Sequence, residues 1–305
     1  MYEQIAANKR KTIFLLFVSF LLLAAVGYAI GLYYGTGWVG LGIAVAVALL
    51  LQIGAYFSGD KLVLRSARAR AVTAEDEPRL HNIVEGLAIA AGVPKPAVYV
   101  IPEQAPNAFA TGRDPEHSSV AVTQGLLETM NRVELEGVLG HEMAHVVDRD
   151  ILYGTIVATV IGAIVLISEF FLRSWWWGGF GGRRNDRGNG NGGGGVVELI
   201  VFAIGFALLI LAPILGQLIR LAVSRNREYL ADAQGAMLTR YPPGLVSALK
   251  KIAEAPHAMH AANNATAHLW FDQPSRIEGP QTGRMERLFS THPPIEERIR
   301  RLEEM

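Results

Sequence analysis

The chain contains no cysteine. That excludes a disulfide framework and any thiolate-ligated metal, and it fits a catalytic domain in a reducing cytoplasm. Neither sign of charge is in excess: 28 Lys and Arg balance 28 Asp and Glu, which leaves no electrostatic basis for binding nucleic acid. No internal repeat is visible. Charge is also scarce by region. Four runs, 12–35, 38–59, 151–172 and 196–219, are almost free of it, Glu169 and Glu198 excepted. Each run reaches the ~20 apolar residues that cross a bilayer as a helix. They help raise the hydrophobic share to 50%, high for a soluble protein. The pattern predicts a polytopic membrane protein. Lys9, Arg10 and Lys11 precede a first run too long for a cleaved signal peptide, so an uncleaved anchor is expected.

Basic residues set the expected topology. Lys9–Lys11 precede the first run, and Lys61, Arg65, Arg68 and Arg70 follow the second, while the turn around Thr36 has none. Both ends of that hairpin belong in the cytoplasm. Arg149 precedes the third run, and Arg220, Arg225 and Arg227 follow the fourth, on the same side. The loop 173–195 carries Arg173, Arg183, Arg184 and Arg187 against one Asp186, which weakens its assignment to the far side. Its Trp175, Trp176 and Trp177 suit a membrane interface, and its Gly-rich remainder reads as a flexible linker. The alternative is a second hairpin only partly inserted.

What is present in the charged parts is chemistry. His141 and His145 are four residues apart with Glu142 between them. On a helix both imidazoles project from one face, where they can bind one Zn²⁺. Glu228 and Asp232 repeat the i, i+4 spacing downstream, as expected of a third metal ligand and a carboxylate that orients a ligand histidine. The assignment is His141, His145 and Glu228 on the metal, with Glu142 as the general base acting on water. His292 is a candidate for contacting the oxyanion of the reaction, although Pro293 after it equally reads as a helix start. Asp148 and Asp150 read as polar groups at the membrane boundary. His81, His117, His257, His260 and His268 fall in no ligand motif.

Around these motifs the soluble part reads as a compact α+β unit. Helical periodicity covers 75–91, stopped by Pro94 and Pro96, and strands are expected at 97–101, 107–111 and 119–123. Helices are expected from Gly125 to Met130, Val133 to Val147, Glu228 to Leu238, Pro243 to Ala255, and from Thr291 to the end. The strand 107–111 reads either as a sheet edge beside the metal or as an interior strand. In the first case Asn107 would hold a substrate backbone group, because extended peptides add to sheet edges. His145 lies about 9 Å of helix before the third run, and Glu228 about 13 Å after the fourth. Both ligand sets therefore stand near one membrane face, and a continuous helix from the metal motif into the bilayer is the shortest path.

The fold class expected is α+β and mainly helical: four transmembrane helices plus a cytoplasmic zinc peptidase domain with a small β-sheet. Its parts are a transmembrane hairpin at 1–60, a first peptidase part at 61–150, a second hairpin at 151–219 and a second peptidase part at 220–305.

The segments 58–61, 107–112, 122–127, 136–145, 224–232 and 289–294 occur in the order found in one family. The chain resembles the HtpX-type membrane zinc metallopeptidases, relatives of the CAAX-prenyl peptidases, from about residue 13 to its end. The resemblance implies a gluzincin-like catalytic domain, one Zn²⁺ per chain, and a multi-pass protein of the cell inner membrane with a cytoplasmic active site. It further implies quality-control cleavage of misfolded or damaged membrane proteins or unfolded polypeptides, the work being shared with an AAA+ membrane protease. It assigns zinc to His141, His145 and Glu228 and catalysis to Glu142. The Trp- and Gly-rich stretch 175–195 is longer than the family pattern. Competing readings are a selective or prenyl-protein peptidase, an intramembrane protease, and a non-catalytic zinc-binding adaptor. Too few spans oppose the second-named of these peptidases, Glu134, Glu136, Asp148 and Arg149 around the motif oppose the intramembrane site, and three ligands rather than four oppose the adaptor.

Overall fold

The computed structural model describes residues 2–33, 35–160, 162, 225–255, 259, 261, 266–272 and 293–305. The chain divides into two compact units, one of residues 1–13, 54–159 and 219–305, the other of 14–53 and 160–218.

Helices α1 (Tyr2–Tyr33) and α2 (Gly37–Ser66) are the longest described elements. Within the second unit they pack through small residues: a Cβ on Gly27 would lie 2.0 Å from Ala44 Cβ, and one on Gly40 2.5 Å from the Gly27 carbonyl. Such glycines let two backbones approach closely. Gln52 Nε2 adds a bond to the Leu16 carbonyl at 2.8 Å. Among the described residues one helix, α2, is long and apolar enough to cross a membrane. Of the four spans expected, the third is described only over 151–160 and at 162, and the fourth lies outside the described residues.

The first unit holds a four-stranded mixed sheet of order β1-β2-β4-β3. Its strands are β1 (Arg70–Ala71), β2 (Ala97–Ile101), β3 (Ala108–Gly112) and β4 (Ser118–Thr123). β2 and β4 run parallel, with Val98 opposite Val120, while β3 runs antiparallel to β4, with Phe109 opposite Ala121. The sequence places β2, β3 and β4 within a residue at each end; β1 is too short to leave a pattern.

Helices α3 (Pro78–Ala91), α4 (Gln124–Thr129), α5 (Arg132–Val147) and α6 (Asp150–Val160) precede the undescribed stretch. After it come α7 (Arg225–Thr239), α8 (Pro242–Glu254) and α9 (Ile295–Glu303). A capping box starts α5: Asn131 accepts from Glu134 N–H, and the Glu134 carboxylate accepts from Asn131 N–H. α5 contacts α3 and β3 as well as α7 and α8, and Leu135, Val138, Leu139, Met143 and Val146 are all buried around it. It is the core helix of the unit, buried on nearly every face.

One expectation is overturned. The helix carrying the two histidines does not continue toward the third apolar run. It stops at Val147, Arg149 adopts a left-handed backbone with φ 58°, and α6 starts afresh at Asp150. The interruption turns the Asp150 carboxylate back toward the end of α5.

Candidate metal centre

Because α5 is buried, its polar face has to be satisfied inside the protein. His141 and Glu142 are almost completely enclosed, at 0% and 1% exposure. α7 crosses α5 at two facing glycines: a Cβ at Gly235 would stand 2.7 Å from the His141 backbone nitrogen. No other residue type permits that approach. The crossing carries Glu228 and Asp232, one turn apart on α7, to the histidines.

His141 Nε2 and His145 Nε2 are 3.1 Å apart. Glu228 Oε2 lies 3.6 Å from the first and Glu228 Oε1 3.8 Å from the second. Ligands 2.0–2.1 Å from a tetrahedral zinc stand about 3.3 Å from one another. The three donors therefore fit around one such ion, and all lie within 4.8 Å. Two imidazole nitrogens and a carboxylate suit zinc, and three protein ligands leave a position open.

The remote ring nitrogens are each held by a carboxylate. His141 Nδ1 pairs with Asp232 Oδ1 at 2.8 Å, and His145 Nδ1 with Asp150 Oδ2 at 3.1 Å. A carboxylate can only accept, so each ring donates from Nδ1, and Nε2 is the atom turned to the common point. Asp232 is itself gripped by Arg298 of α9, whose Nε and Nη2 donate to its two oxygens at 2.8 and 2.7 Å. Arg298 Nη1 also donates to the Phe271 carbonyl at 3.1 Å, and the Phe271 ring meets His141 edge-on at 4.9 Å.

Burial pushes the His141 imidazole down to about 4, the Asp232 hydrogen bond opposing it only in part. Burial would lower His145 too, but the Asp150 hydrogen bond and the Glu228 charge outweigh it and lift that ring to about 9. Burial raises the Glu142 carboxyl to about 7; the His145 charge resists the rise and the Glu228 charge adds to it. For Asp232, burial is overridden by the Arg298 charge and the His141 hydrogen bond, which hold it at about 2. The Glu142 carboxylate takes a hydrogen bond from the Ala110 backbone, which fixes it beside β3. The pocket over these groups is lined by Ala110, Ile151, Gly154, Leu269, Trp270 and Phe271 as well.

The structure thus brings together His141, Glu142, His145, Glu228 and Asp232. It does not place Asn107 at an open substrate edge. β3 is an edge strand, but Asn107 is buried and its amide is used internally. Nδ2 donates to the Asp272 carbonyl at 2.8 Å, and Oδ1 accepts from the N–H groups of Ala108 and Asp272. Phe271 N–H takes the outward Ala108 carbonyl at 2.8 Å, so Asn107 serves to hold this covering segment. His292 lies outside the described residues. Asp150 is no mere boundary group, since it orients His145. Arg298 escapes the motif search. Its signal is its place on the apolar stripe of α9 between Ile295 and Leu302, where a buried charge demands a partner. His268, placed in no ligand motif, lines the same pocket and bonds the Gly154 carbonyl at 3.1 Å.

Comparison with known proteins agrees with this geometry. The family model described as Peptidase family M48 matches residues 74–305. The chain is 48% identical over 305 residues to a Protease HtpX homolog of Caldanaerobacter subterraneus subsp. tengcongensis, covering 100% of this chain and 98% of that one. It is 45% identical over 306 residues to a Protease HtpX homolog of Lactobacillus acidophilus, with 100% of both covered. A crystal structure of S. mikatae Ste24p shares the fold, with a TM-score of 0.51 at 17% identity over 99% of this chain and 67% of that one. The chain therefore belongs to peptidase family M48 and is a metallopeptidase.

Proposed function

We propose that the protein is a membrane-embedded zinc endopeptidase that cuts misfolded or damaged membrane proteins at the cytoplasmic face. The observation that carries the reading is the convergence of His141 Nε2, His145 Nε2 and a Glu228 carboxylate beside the enclosed Glu142. His141, His145 and Glu228 hold the zinc. Bound there, the ion supplies Lewis-acid activation of water and of the scissile carbonyl. Glu142 takes the proton from the attacking water and hands it to the leaving amine. Asp232 and Asp150 keep the two rings in the ligating tautomer. His292 is assigned the oxyanion contact on sequence grounds.

Four spans, with both hairpins returning to the cytoplasm, complete the proposal, together with peptidase parts at 61–150 and 220–305. The support is the charge pattern at the ends of the runs and the exposed apolar side chains of α1 and α2, among them Phe14, Phe17, Val39, Ile43 and Leu50. So many exposed large apolar side chains on two helices are unusual in water. The third apolar run begins six residues after His145, which supports a site near the membrane surface, where segments of damaged membrane proteins emerge. An AAA+ membrane protease sharing these substrates belongs to the same reading.

The test is casein cleavage by detergent-purified protein, metal-free and then zinc-loaded, beside Glu142→Gln. The proposal expects zinc-dependent cleavage that disappears in the variant while zinc stays bound. If both proteins bind zinc and neither cuts casein, the broad specificity is wrong and a selective or non-catalytic protein takes its place.

A further inference from the structure

The break between α5 and α6 needs something to hold it. A non-glycine residue at positive φ, here Arg149, persists only when its surroundings impose it. The side chain that spans the break comes from far away in sequence, from α1. Asn8 is buried at 4% exposure, and its Nδ2 bridges the turn. It donates to the Asp148 carbonyl at 3.1 Å on one side and to Asp150 Oδ1 on the other.

Asp150 divides its two oxygens. Oδ2 takes the Nδ1 proton of His145 at 3.1 Å, while Oδ1 faces Asn8 and, at 3.5 Å, Arg227 Nε. A carboxylate unrestrained at its second oxygen turns about its terminal torsion, which is a broad one. The Asn8 hydrogen bond on Oδ1, with the Arg227 charge beside it, removes that freedom and aims Oδ2 at the ring. Asn8 differs from Arg227 in gripping both ends of the turn, so it fixes where Asp150 stands as well as how it is rotated.

We propose that Asn8 is a positioning residue of the metal centre, acting through Asp150 to hold the His145 ring with Nε2 toward His141 and Glu228. The N-terminal helix then contributes to metal binding as well as to anchorage. This rests on the reading of His145 as a zinc ligand.

The test uses the full chain in detergent, with zinc affinity measured by competition against a chromophoric chelator and ligand geometry by the visible bands of bound Co²⁺. Partners that orient metal ligands are worth roughly 10–100-fold in affinity. Asn8→Ala, one step further out, is expected to weaken zinc about tenfold, toward the low end of that range, and to alter the Co²⁺ spectrum. In an Asp150→Asn background the same change should add nothing, because the route is already cut. Thr12→Ala is the control. It removes a buried hydroxyl bonded to the Asn8 carbonyl at 3.0 Å without touching Asp150, and should bind zinc as the parent does. Where the alanine variant fails to fold, Asn8→Leu, close in size and without a donor, replaces it in the same comparison. Unchanged affinity and spectrum in the Asn8 variant would overturn the proposal. So would losses that multiply with Asp150→Asn, or an equal loss in Thr12→Ala. If the parent protein itself binds no zinc, or His145→Ala binds it as tightly, the ligand assignment fails instead.

Discussion

Gly235→Ala is the sharpest perturbation the architecture offers, because it adds one methyl group at the crossing that assembles the site. The new Cβ would stand 2.7 Å from the His141 nitrogen, 2.9 Å from the Gly140 carbonyl carbon and 3.0 Å from the His141 Cα. All three are backbone atoms of α5, so no rotamer change relieves the clash. The closest falls about 0.7 Å short of the 3.4 Å at which ordinary contact begins, and the helices must part by about that much. Asp232 is one turn away on α7. Opening its 2.8 Å bond to His141 by the same amount takes it to about 3.5 Å, the limit of a useful hydrogen bond. Overpacking costs about 1–3 kcal/mol, offset by the roughly 1 kcal/mol that alanine contributes in a helix interior. Stability should therefore fall by about 0–2 kcal/mol. Activity should fall further, about 10- to 100-fold, since ligand placement errors near 1 Å cost that much. Gly86→Ala supplies the comparison. Gly86 is an exposed α3 residue with nothing within 4 Å of a new Cβ, so it should gain stability and keep full activity. Casein cleavage and denaturant unfolding, run on both variants, decide the matter. If Gly235→Ala is stabilised and fully active like Gly86→Ala, the glycine crossing does not assemble the site.

Three further outcomes are expected. Arg298→Met strands the buried Asp232 carboxylate, and breaking such a pair costs about 3–5 kcal/mol; denaturant unfolding in the presence of chelator measures it, and parental stability would refute the account. Glu134 gives a pH signature away from the metal. Burial would raise its carboxyl, but Lys251, Ser247 and the Asn131 N–H outweigh it and hold it below the ordinary 4.5. A lowered folded value means the stabilisation is complete above about pH 4.5 and is lost as pH falls through that lower value. The difference in melting temperature between the parent and Glu134→Gln should accordingly shrink on acidification, and a pH-independent difference would contradict the sign. Zinc at a thousandfold excess over its dissociation constant should add about 4 kcal/mol of stability, a gain that chelator removes in the parent and that Glu228→Gln lacks.

Much of the fold is legible because local rules decide it. Alternation of small and β-branched residues marks β2 and β4, and α3 ends where the periodicity ends, at the left-handed Gly92 just before Pro94 and Pro96. His141 and His145 are legible as a pair for the same reason: a single helical turn brings them together whatever the rest of the chain does. Glu228 and Asp232 are legible only as a second pair with the same spacing. Nothing local says that α7 meets α5. That meeting depends on Gly140 and Gly235, residues that leave no mark in a periodicity argument. The break at Arg149 is invisible for the converse reason. Local sequence favours a continuing helix, and the left-handed turn is bridged by Asn8, 142 positions from its partner Asp150.

The same distinction explains which polar groups escape a motif search. Arg298 and Asp150 look like ordinary surface charges, one on a short amphipathic helix and the other at the edge of an apolar run. Each acts only after the chain has closed, Arg298 on a group 66 residues away and Asp150 on one five residues away across a broken helix. Both hold a carboxylate–histidine contact inside a helix that is buried on nearly all sides, where an unpartnered charge is costly. Burial of α5 therefore does two things at once. It gives the histidines a fixed position, and it obliges the rest of the chain to supply a partner for each of them. Asp232 with Arg298 meets that demand on one side of the metal centre, and Asp150 with Arg227 and Asn8 meets it on the other.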